Sequence, residues 1–237
     1  RHLALAFRNL AADPKFAEII VEGGAVEGVI KLSQVTDNAT RLSCAICLCH
    51  LIHFAVQLDE LIERGVVGPL VKLAETGDSK TAECCAAALY LLFCRPLVTK
   101  KIDTREVTRA LLNLCRVSNT STRKRCVAAF WNLTNLELQS AKGAKSASES
   151  IPVLLELLQT ETDLDLKADC AAALYNLAQC PENCQAMILA GAVQPIIILG
   201  KTGSFETKMQ CMSILQRMLL GRAIPEEVSM FRPWPHT

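Results

Sequence analysis

The sequence predicts an all-α solenoid in which about five three-helix repeats stack behind a partial N-terminal repeat. Three observations predict this fold: an internal repeat of just over forty residues, two columns of residues at the same spacing, and the composition. Hydrophobic residues make up 51% of the 237 residues and aromatic residues only 5%. Because the apolar residues are mainly Leu, Ala and Val, the composition suits packed helices better than a sheet.

The repeat is visible in five segments that align with one another. Their lengths are 41, 41, 41, 44 and 42 residues, and they cover 12–52, 53–93, 94–134, 135–178 and 179–220. Each has an apolar stretch of the form V-x-x-L/I-x-x-L, then a polar break, then a helix rich in Ala, Cys and Leu. Residues 1–11 match the last helix of a repeat. We therefore expect one repeat domain over 1–220 and a C-terminal tail over 221–237.

Two columns of residues set the register of these repeats. The cysteine column recurs at spacings of 41, 41, 44 and 41 residues, at Cys44, Cys85, Cys126, Cys170 and Cys211. The ladder column follows it by six residues, at His50, Leu91, Asn132, Asn176 and Arg217, with Asn9 as the equivalent in the partial repeat. Two columns at one spacing are hard to obtain by accident.

Each repeat is predicted to contain a short first helix, a sharp turn, a second helix, a polar turn and a longer third helix. Glycine tolerates the positive φ of the sharp turn, and it occurs there at Gly23, Gly24, Gly65 and Gly191. Proline costs little early in a helix, and the second helices have it at Pro69, Pro152 and Pro195. The polar breaks at 36–38 and 77–79 supply side chains that cap the third helix.

These features resemble the armadillo repeat family over residues 1–220. The matching stretches are EGGAVEGVIKL, ERGVVGPLVKL and LAGAVQPIIIL for the first turn and second helix, and AFWNLT and AALYNLA for the third helix. The resemblance implies a right-handed superhelix whose third helices line a concave groove. In family members such as importin-α and β-catenin, that groove binds extended peptides.

The resemblance implies that the ladder column faces the groove, at Asn9, His50, Asn132, Asn176 and Arg217. An asparagine amide donates and accepts, so it is suited to holding a peptide backbone. The alternative is that the asparagines tie the helices of adjacent repeats together. Leu91 interrupts the column, which argues against one continuous peptide track.

Two aromatic patterns distinguish this chain from importin-type repeats. Those repeats have tryptophan four residues before the ladder, where this sequence has Leu5, Ile46, Ala87, Ala128, Ala172 and Ser213. Recognition of nuclear-localisation signals by a tryptophan array is therefore not expected. Aromatic residues instead come one residue before the ladder, at Tyr90, Trp131 and Tyr175. We interpret them as an anchor row for a partner, with packing between third helices as the alternative.

Charge is concentrated in residues 94–125, which hold nine basic and two acidic residues. The candidate basic patch is Lys100, Lys101, Arg105, Arg109, Arg123 and Lys124, and Arg125 extends it towards Trp131. This patch predicts an acidic partner, and a solvated face is the alternative. Nucleic acid is not expected as a partner, because the patch is local and the net charge is only +1.

Several function classes lack support in the sequence. The run of Cys44, Cys47, Cys49 and His50 has no distant second pair of ligands, so no metal site is predicted. No nucleophile elbow or P-loop accompanies the four histidines, so we expect neither an enzyme nor a cofactor. No apolar run approaches the ~20 residues that span a bilayer. Twelve cysteines in apolar helical segments indicate reduced thiols and a cytoplasmic or nuclear location.

Two segments depart from the repeat pattern. Residues 135–150 are polar where a first helix is expected, so they predict a loosened helix or an inserted loop. The tail offers Phe231 and Trp234 as a cap for the apolar end of the last repeat.

The sequence therefore predicts a non-enzymatic scaffold whose groove holds a peptide or helix of another protein, as part of a larger chain or complex. Two alternatives remain open. One is a structural component of a cytoskeletal or ciliary assembly, and the other is the substrate-recruiting arm of a larger enzyme such as a ubiquitin ligase.

Overall fold

The computed structural model describes residues 1–56, 58–76, 78–95, 102–117, 119–138 and 148–221, and no β-strand occurs in these ranges. The helices form one stack of units in chain order. A lone helix, α1 (His2–Ala11), comes first. Unit 1 contains α2 (Pro14–Glu22), α3 (Val26–Ser33) and α4 (Asn38–Phe54), and unit 2 contains α5 (Leu58–Glu63), α6 (Val67–Thr76) and α7 (Ser79–Phe93).

The remaining units continue the same order. Unit 3 contains α8 (Thr104–Val117) and α9 (Thr120–Leu138), and unit 4 contains α10 (Ile151–Thr160) and α11 (Leu164–Leu177). Unit 5 contains α12 (Pro181–Leu189), α13 (Val193–Thr202) and α14 (Phe205–Gly221). A first helix was expected in each unit, and for unit 4 within residues 135–150. Residues 96–101 of unit 3 and 139–147 of unit 4 lie outside the described part of the chain.

The third helices form the spine of the stack. In order they are α1, α4, α7, α9, α11 and α14, and each packs against the next. Every member of the cysteine column is at most 1% exposed between these helices. Small thiols behave as apolar side chains and allow close approach of helices, so a uniformly buried column is what a repeating core requires. The predicted solenoid is confirmed.

The predicted turns are also confirmed. Gly24, Gly65 and Gly191 have φ of 71°, 81° and 75°, and each lies between the first and second helix of its unit. A side chain at these positions would be strained, because L-residues rarely adopt positive φ. Gly23 precedes Gly24 with an ordinary negative φ of −75°.

A third column caps the third helices, and the sequence prediction identified only its first two members. Side chains of Asp37, Asp78, Asn119, Asp163 and Ser204 each accept a hydrogen bond from the backbone N–H three residues later. Their spacings equal those of the cysteine column, so each unit starts its third helix in the same way.

Two third helices are longer than predicted. Helix α4 continues to Phe54 and α9 to Leu138, beyond the expected repeat boundaries at 52 and 134. Residues 135–138 thus belong to a third helix rather than to a loosened first helix. The tail residues Phe231 and Trp234 lie outside the described part of the chain.

Within that part, no single helix is long and apolar enough to cross a membrane. Helices α12 and α13 reach that length only together, with a bend of 96° between them.

Candidate functional site

Stacking leaves one side of the third helices uncovered, and we call this surface the third-helix face. Its floor is the row two residues after the cysteine column, at Ile46, Ala87, Ala128, Ala172 and Ser213, which are half-buried or buried. Small residues dominate this floor, so a partner backbone has room to approach it. The floor row is the row that holds tryptophan in importin-type repeats.

The aromatic row lies beside this floor. Trp131 on α9 is 43% exposed, while Tyr90 on α7 and Tyr175 on α11 are half-buried. The Tyr90 hydroxyl is hydrogen-bonded to Cys94, and this bond, the charge of Cys94 and burial raise the pKa of Tyr90. Trp131 thus presents a large apolar surface to solvent from the middle of the stack.

The two ladder asparagines of units 3 and 4 have different environments. Asn132 is half-buried, and its Nδ2 lies 3.5 Å from Cys94 Sγ, a weak contact. Asn176 is 7% exposed, and its Nδ2 donates to Thr134 Oγ1 at 3.1 Å and to the Trp131 carbonyl at 3.4 Å. Asn176 therefore ties α11 to α9, which is the alternative interpretation of the ladder. The expectation that it faces a peptide is corrected at this position.

The other ladder residues differ from these two in exposure and surroundings. Asn9 is exposed on α1, and Arg217 is half-buried on α14 within electrostatic range of Cys184. His50 is half-buried on α4, and burial lowers its pKa against the effect of a backbone hydrogen bond with Arg8.

The basic run at 123–125 is paired with acidic residues of neighbouring units. Arg125 pairs with Glu83 at 3.0 Å, and Lys124 pairs with Asp163 at 2.6 Å. Ion pairing thus removes two positive charges from the third-helix face.

Arg123 is compensated in the same manner. Its guanidinium pairs with Glu161, whose side chain is 11% exposed, and its Nε donates to the Cys115 carbonyl at 3.0 Å. Arg105 and Arg109 are exposed on α8, a second helix, and do not belong to the third-helix face. Lys100 and Lys101 lie outside the described residues. Every member of the patch that the structure describes on the third-helix face is therefore already paired with an acidic residue.

A carboxylate that the sequence prediction missed lies on the same face. Asp169 on α11 comes one residue before the cysteine column, where the other units have Ser43, Cys84, Arg125 and Gln210. It is half-buried and has no hydrogen bond or ion pair to any residue of the described ranges. Burial, and secondarily the charge of Asp165, raises the pKa of Asp169.

Electrostatic interactions on the third-helix face extend from one unit to the next but one. The charge of Asp169 on α11 contributes to the raised pKa of Tyr90 on α7, although α9 lies between these helices. Arg125 on α9 likewise acts on Cys49 of α4 across α7, where burial is the main cause that raises the pKa of that thiol to about 11.

The structure was also searched for a metal site and for cavities away from the third-helix face. No group of three His, Cys, Asp or Glu side chains is arranged to hold a metal ion among the residues that the structure describes. A cavity of about 70 Å³ lies between α2, α5 and the end of α4, away from the aromatic row, and Glu18, Glu22 and Glu60 are among its lining residues.

Comparison with known proteins identifies the fold. No protein-family model and no curated protein matches the chain. Solved structures do match. Computationally designed armadillo repeat proteins for modular peptide recognition share 19% identity at a TM-score of 0.76, over 90% of this chain and 91% of theirs.

Two further structures agree with this match. An engineered protein shares 23% identity at a TM-score of 0.73, over 92% of this chain and 89% of its own. A designed armadillo repeat protein in complex with the peptide (KR)4 shares 18% identity at a TM-score of 0.70, over 91% of both chains. At these identities the likeness establishes architecture alone, and the chain has an armadillo-type repeat fold.

Proposed function

We propose that this protein is a non-enzymatic scaffold that binds a segment of another protein along its third-helix face. The observation that carries the proposal is Trp131, 43% exposed between two half-buried tyrosines and beside a floor of alanines. Tryptophan and tyrosine supply much of the binding energy in protein interfaces, because they bury large areas with few rotatable bonds. The peptide-binding designs with the same architecture support this proposal.

Binding is proposed to centre on units 2 to 4, where the aromatic row lies. The Asn132 amide is suited to a partner backbone, because its contact with Cys94 is long and weak and is easily exchanged. Asn176 is already engaged between helices, so it supports the face rather than the partner. A short extended peptide or one turn of a helix fits this arrangement.

Selection from a random peptide library tests the proposal. Peptides selected on the wild-type protein are titrated against Trp131→Ala and against Ile198→Ala, which removes a 54% exposed side chain from the second helix α13. We expect Trp131→Ala to weaken binding at least about tenfold and Ile198→Ala less than about twofold. Equal affinities of the two variants would contradict binding at the third-helix face.

A second candidate function is a structural element within a larger assembly, such as a cytoskeletal or ciliary one. Leu3 and Met212 occupy columns that are at most 1% exposed in the intervening units, yet they are 57% and 63% exposed. Both ends of the stack thus present apolar side chains that further helices would cover. Light scattering of wild type and Met212→Lys tests this candidate. If the wild-type protein has the molar mass of a monomer at all concentrations, as the variant does, self-assembly through the ends is contradicted.

The proposed compartment is the cytoplasm. All twelve cysteines are free thiols, which suits a reducing environment. Microscopy of a fluorescently tagged protein tests this assignment, and a secreted protein would contradict it.

A further inference from the structure

A second surface with the features of a binding site lies at the first helices of units 1 and 2. A cavity of about 70 Å³ lies there between α2, α5 and the end of α4, and we call it the first-helix pocket. Apolar cavities of roughly 150 Å³ take up benzene, so about half that volume suits the branched end of one aliphatic side chain.

The floor of the first-helix pocket belongs to the core of the stack. Ala17, Val21 and Leu51 line it and are at most 9% exposed. Phe54 is a further lining residue, and the ring of His53 packs edge-on against it at a centroid distance of 4.7 Å. Because these apolar side chains offer no hydrogen bond, water in the pocket is readily replaced by an apolar group.

Contacts between units hold other parts of the lining in place. Arg95, which follows α7, donates from Nη1 to the Ala55 carbonyl at 2.8 Å. Arg64 donates from Nη2 to Glu60 Oε1 at 2.7 Å and from Nη1 to Glu27 Oε1 at 2.7 Å. Ala55 and Glu60 both line the pocket. They are thus positioned before a partner binds, which lowers the entropy cost of binding.

The rim of the first-helix pocket is acidic. Glu18 and Glu22 lie one turn apart on α2, and both are exposed lining residues. Neither makes a hydrogen bond or an ion pair with any residue of the described ranges. With Glu60, the described lining holds three carboxylates and no basic side chain. An acidic rim around an apolar floor favours a ligand that combines an apolar group with positive charge.

We propose that the first-helix pocket binds an aliphatic side chain of a partner protein, and that basic residues flank this side chain. Val56 lines the pocket and is 80% exposed, so it adds apolar surface beside the opening. Lysine or arginine next to the aliphatic anchor pairs with Glu18 and Glu22, and its stem packs on Val56. The site goes beyond the proposed function, because its residues belong to units 1 and 2 and Trp131 belongs to unit 3.

Peptide selection on a protein that lacks the exposed tryptophan tests the pocket. A library of dodecapeptides with leucine fixed at position 6 and all other positions random is selected on Trp131→Ala. The selected peptides are titrated against this protein and against versions that also carry Val56→Lys or Val56→Glu. The high exposure of Val56 allows both substitutions, and melting temperatures check that the fold is retained.

Lysine and arginine should be enriched within about four residues of the fixed leucine. Val56→Lys should weaken binding at least about fivefold, because it repels these residues, and Val56→Glu should strengthen binding about twofold. Replacement of the leucine by alanine should weaken binding at least about tenfold. On Ala17→Met, which adds side-chain volume at the floor, the same replacement should change affinity less than about twofold.

The charge of the rim is tested separately. The double variant Glu18→Gln with Glu22→Gln keeps the side-chain shapes and should weaken binding about fivefold. Its matched control is Glu156→Gln with Glu206→Gln, which removes two exposed charges from units 4 and 5 and should change affinity less than about twofold.

The outcomes are independent of the third-helix face, because Trp131 is absent from the selection. Recovery of no peptide, equal affinities for Val56→Lys and Val56→Glu, or no enrichment of basic residues would overturn the proposal and leave the proposed function intact. A wild-type dimer that Val56→Lys dissociates would assign the pocket to a second copy of the chain and would overturn it as well.

Discussion

Asn132 and Asn176 occupy the same repeat position, and the structure predicts opposite consequences for their substitution. Asn176→Ala removes a 7% exposed amide that donates to Thr134 Oγ1 at 3.1 Å. Loss of one buried hydrogen bond costs about 1 kcal/mol, and the small void adds up to about 1 kcal/mol more. A chain of this size loses about 2–4 °C in Tm per kcal/mol, so Tm should fall by about 2–8 °C.

Asn132→Ala should behave differently. The amide is half-buried, and its only hydrogen bond among the described residues is the 3.5 Å contact with Cys94 Sγ. We expect a loss of less than about 0.5 kcal/mol, together with weaker binding of peptides selected on the wild type. Asn176→Ala should leave peptide affinity nearly unchanged at a temperature where both variants are folded.

Circular dichroism melts and urea titrations of the two variants measure these differences. Thr134→Val supplies an independent check, because it removes the hydroxyl partner while it keeps the side-chain shape. Thr134→Val and Asn176→Ala share one bond, so the double variant should be less destabilised than the sum of the single variants. Equal Tm losses for Asn132→Ala and Asn176→Ala, or strict additivity with Thr134→Val, would refute the division into a binding and a tying asparagine.

Two further predictions concern charge. Arg123→Met should lower the free energy of unfolding by about 1–3 kcal/mol. The substitution removes the cation that pairs with Glu161, a carboxylate whose side chain is only 11% exposed. Lys124→Met should cost less, since Asp163 stays solvated at 29% exposure. The folded-state pKa of His50 is lowered by burial, so the unfolded chain binds the proton more tightly. Stability should then be complete above about pH 6.5 and fall as the pH decreases below it. Melts between about pH 5 and 7.5 should show less pH dependence for His50→Gln than for the control His53→Gln, and identical slopes would contradict this assignment.

Much of the fold follows from the sequence because each repeating position meets the same environment in every unit. A residue that must fit between two helices in one unit must fit there in the next, so the constraint recurs in the chain. The cysteine column and the positive-φ glycines are such positions. The capping column has equally regular spacing, but it is harder to recognise in the sequence because aspartate, asparagine and serine can all cap a helix N-terminus.

The candidate site was less predictable, because it depends on which residues face one another across units. Asn176 is tied down only because α9 has Thr134 at the facing position. The residue that corresponds to Thr134 for Asn132 is Phe93, which has no hydroxyl to accept a hydrogen bond from the amide. Two asparagines in one column therefore serve different purposes, and the cause lies two residues after the ladder in the preceding unit.

The charge of the basic patch likewise depends on residues of neighbouring units. Residues 94–125 hold nine basic and two acidic residues, but the acidic partners of the basic run at 123–125 lie about one repeat away in the chain. Arg125 meets Glu83 at a separation of 42 residues, and Arg123 meets Glu161 at a separation of 38. In a stacked repeat, charge has to be compared between neighbouring units rather than along a continuous segment.

The extent of the aromatic row sets the length of the segment that the face can hold. Tyr90, Trp131 and Tyr175 lie on three successive third helices, which are two interhelical spacings apart from end to end. At about 8–10 Å per spacing this distance is about 16–20 Å, which an extended peptide covers in about five or six residues. A track along all six third helices would need about 12–15 residues by the same arithmetic. Truncation of a selected peptide from both ends should therefore leave affinity nearly constant down to about six residues and then reduce it sharply. A steady loss of affinity from about twelve residues downwards would instead indicate a continuous track, despite the interruption at Leu91 and the tied amide of Asn176.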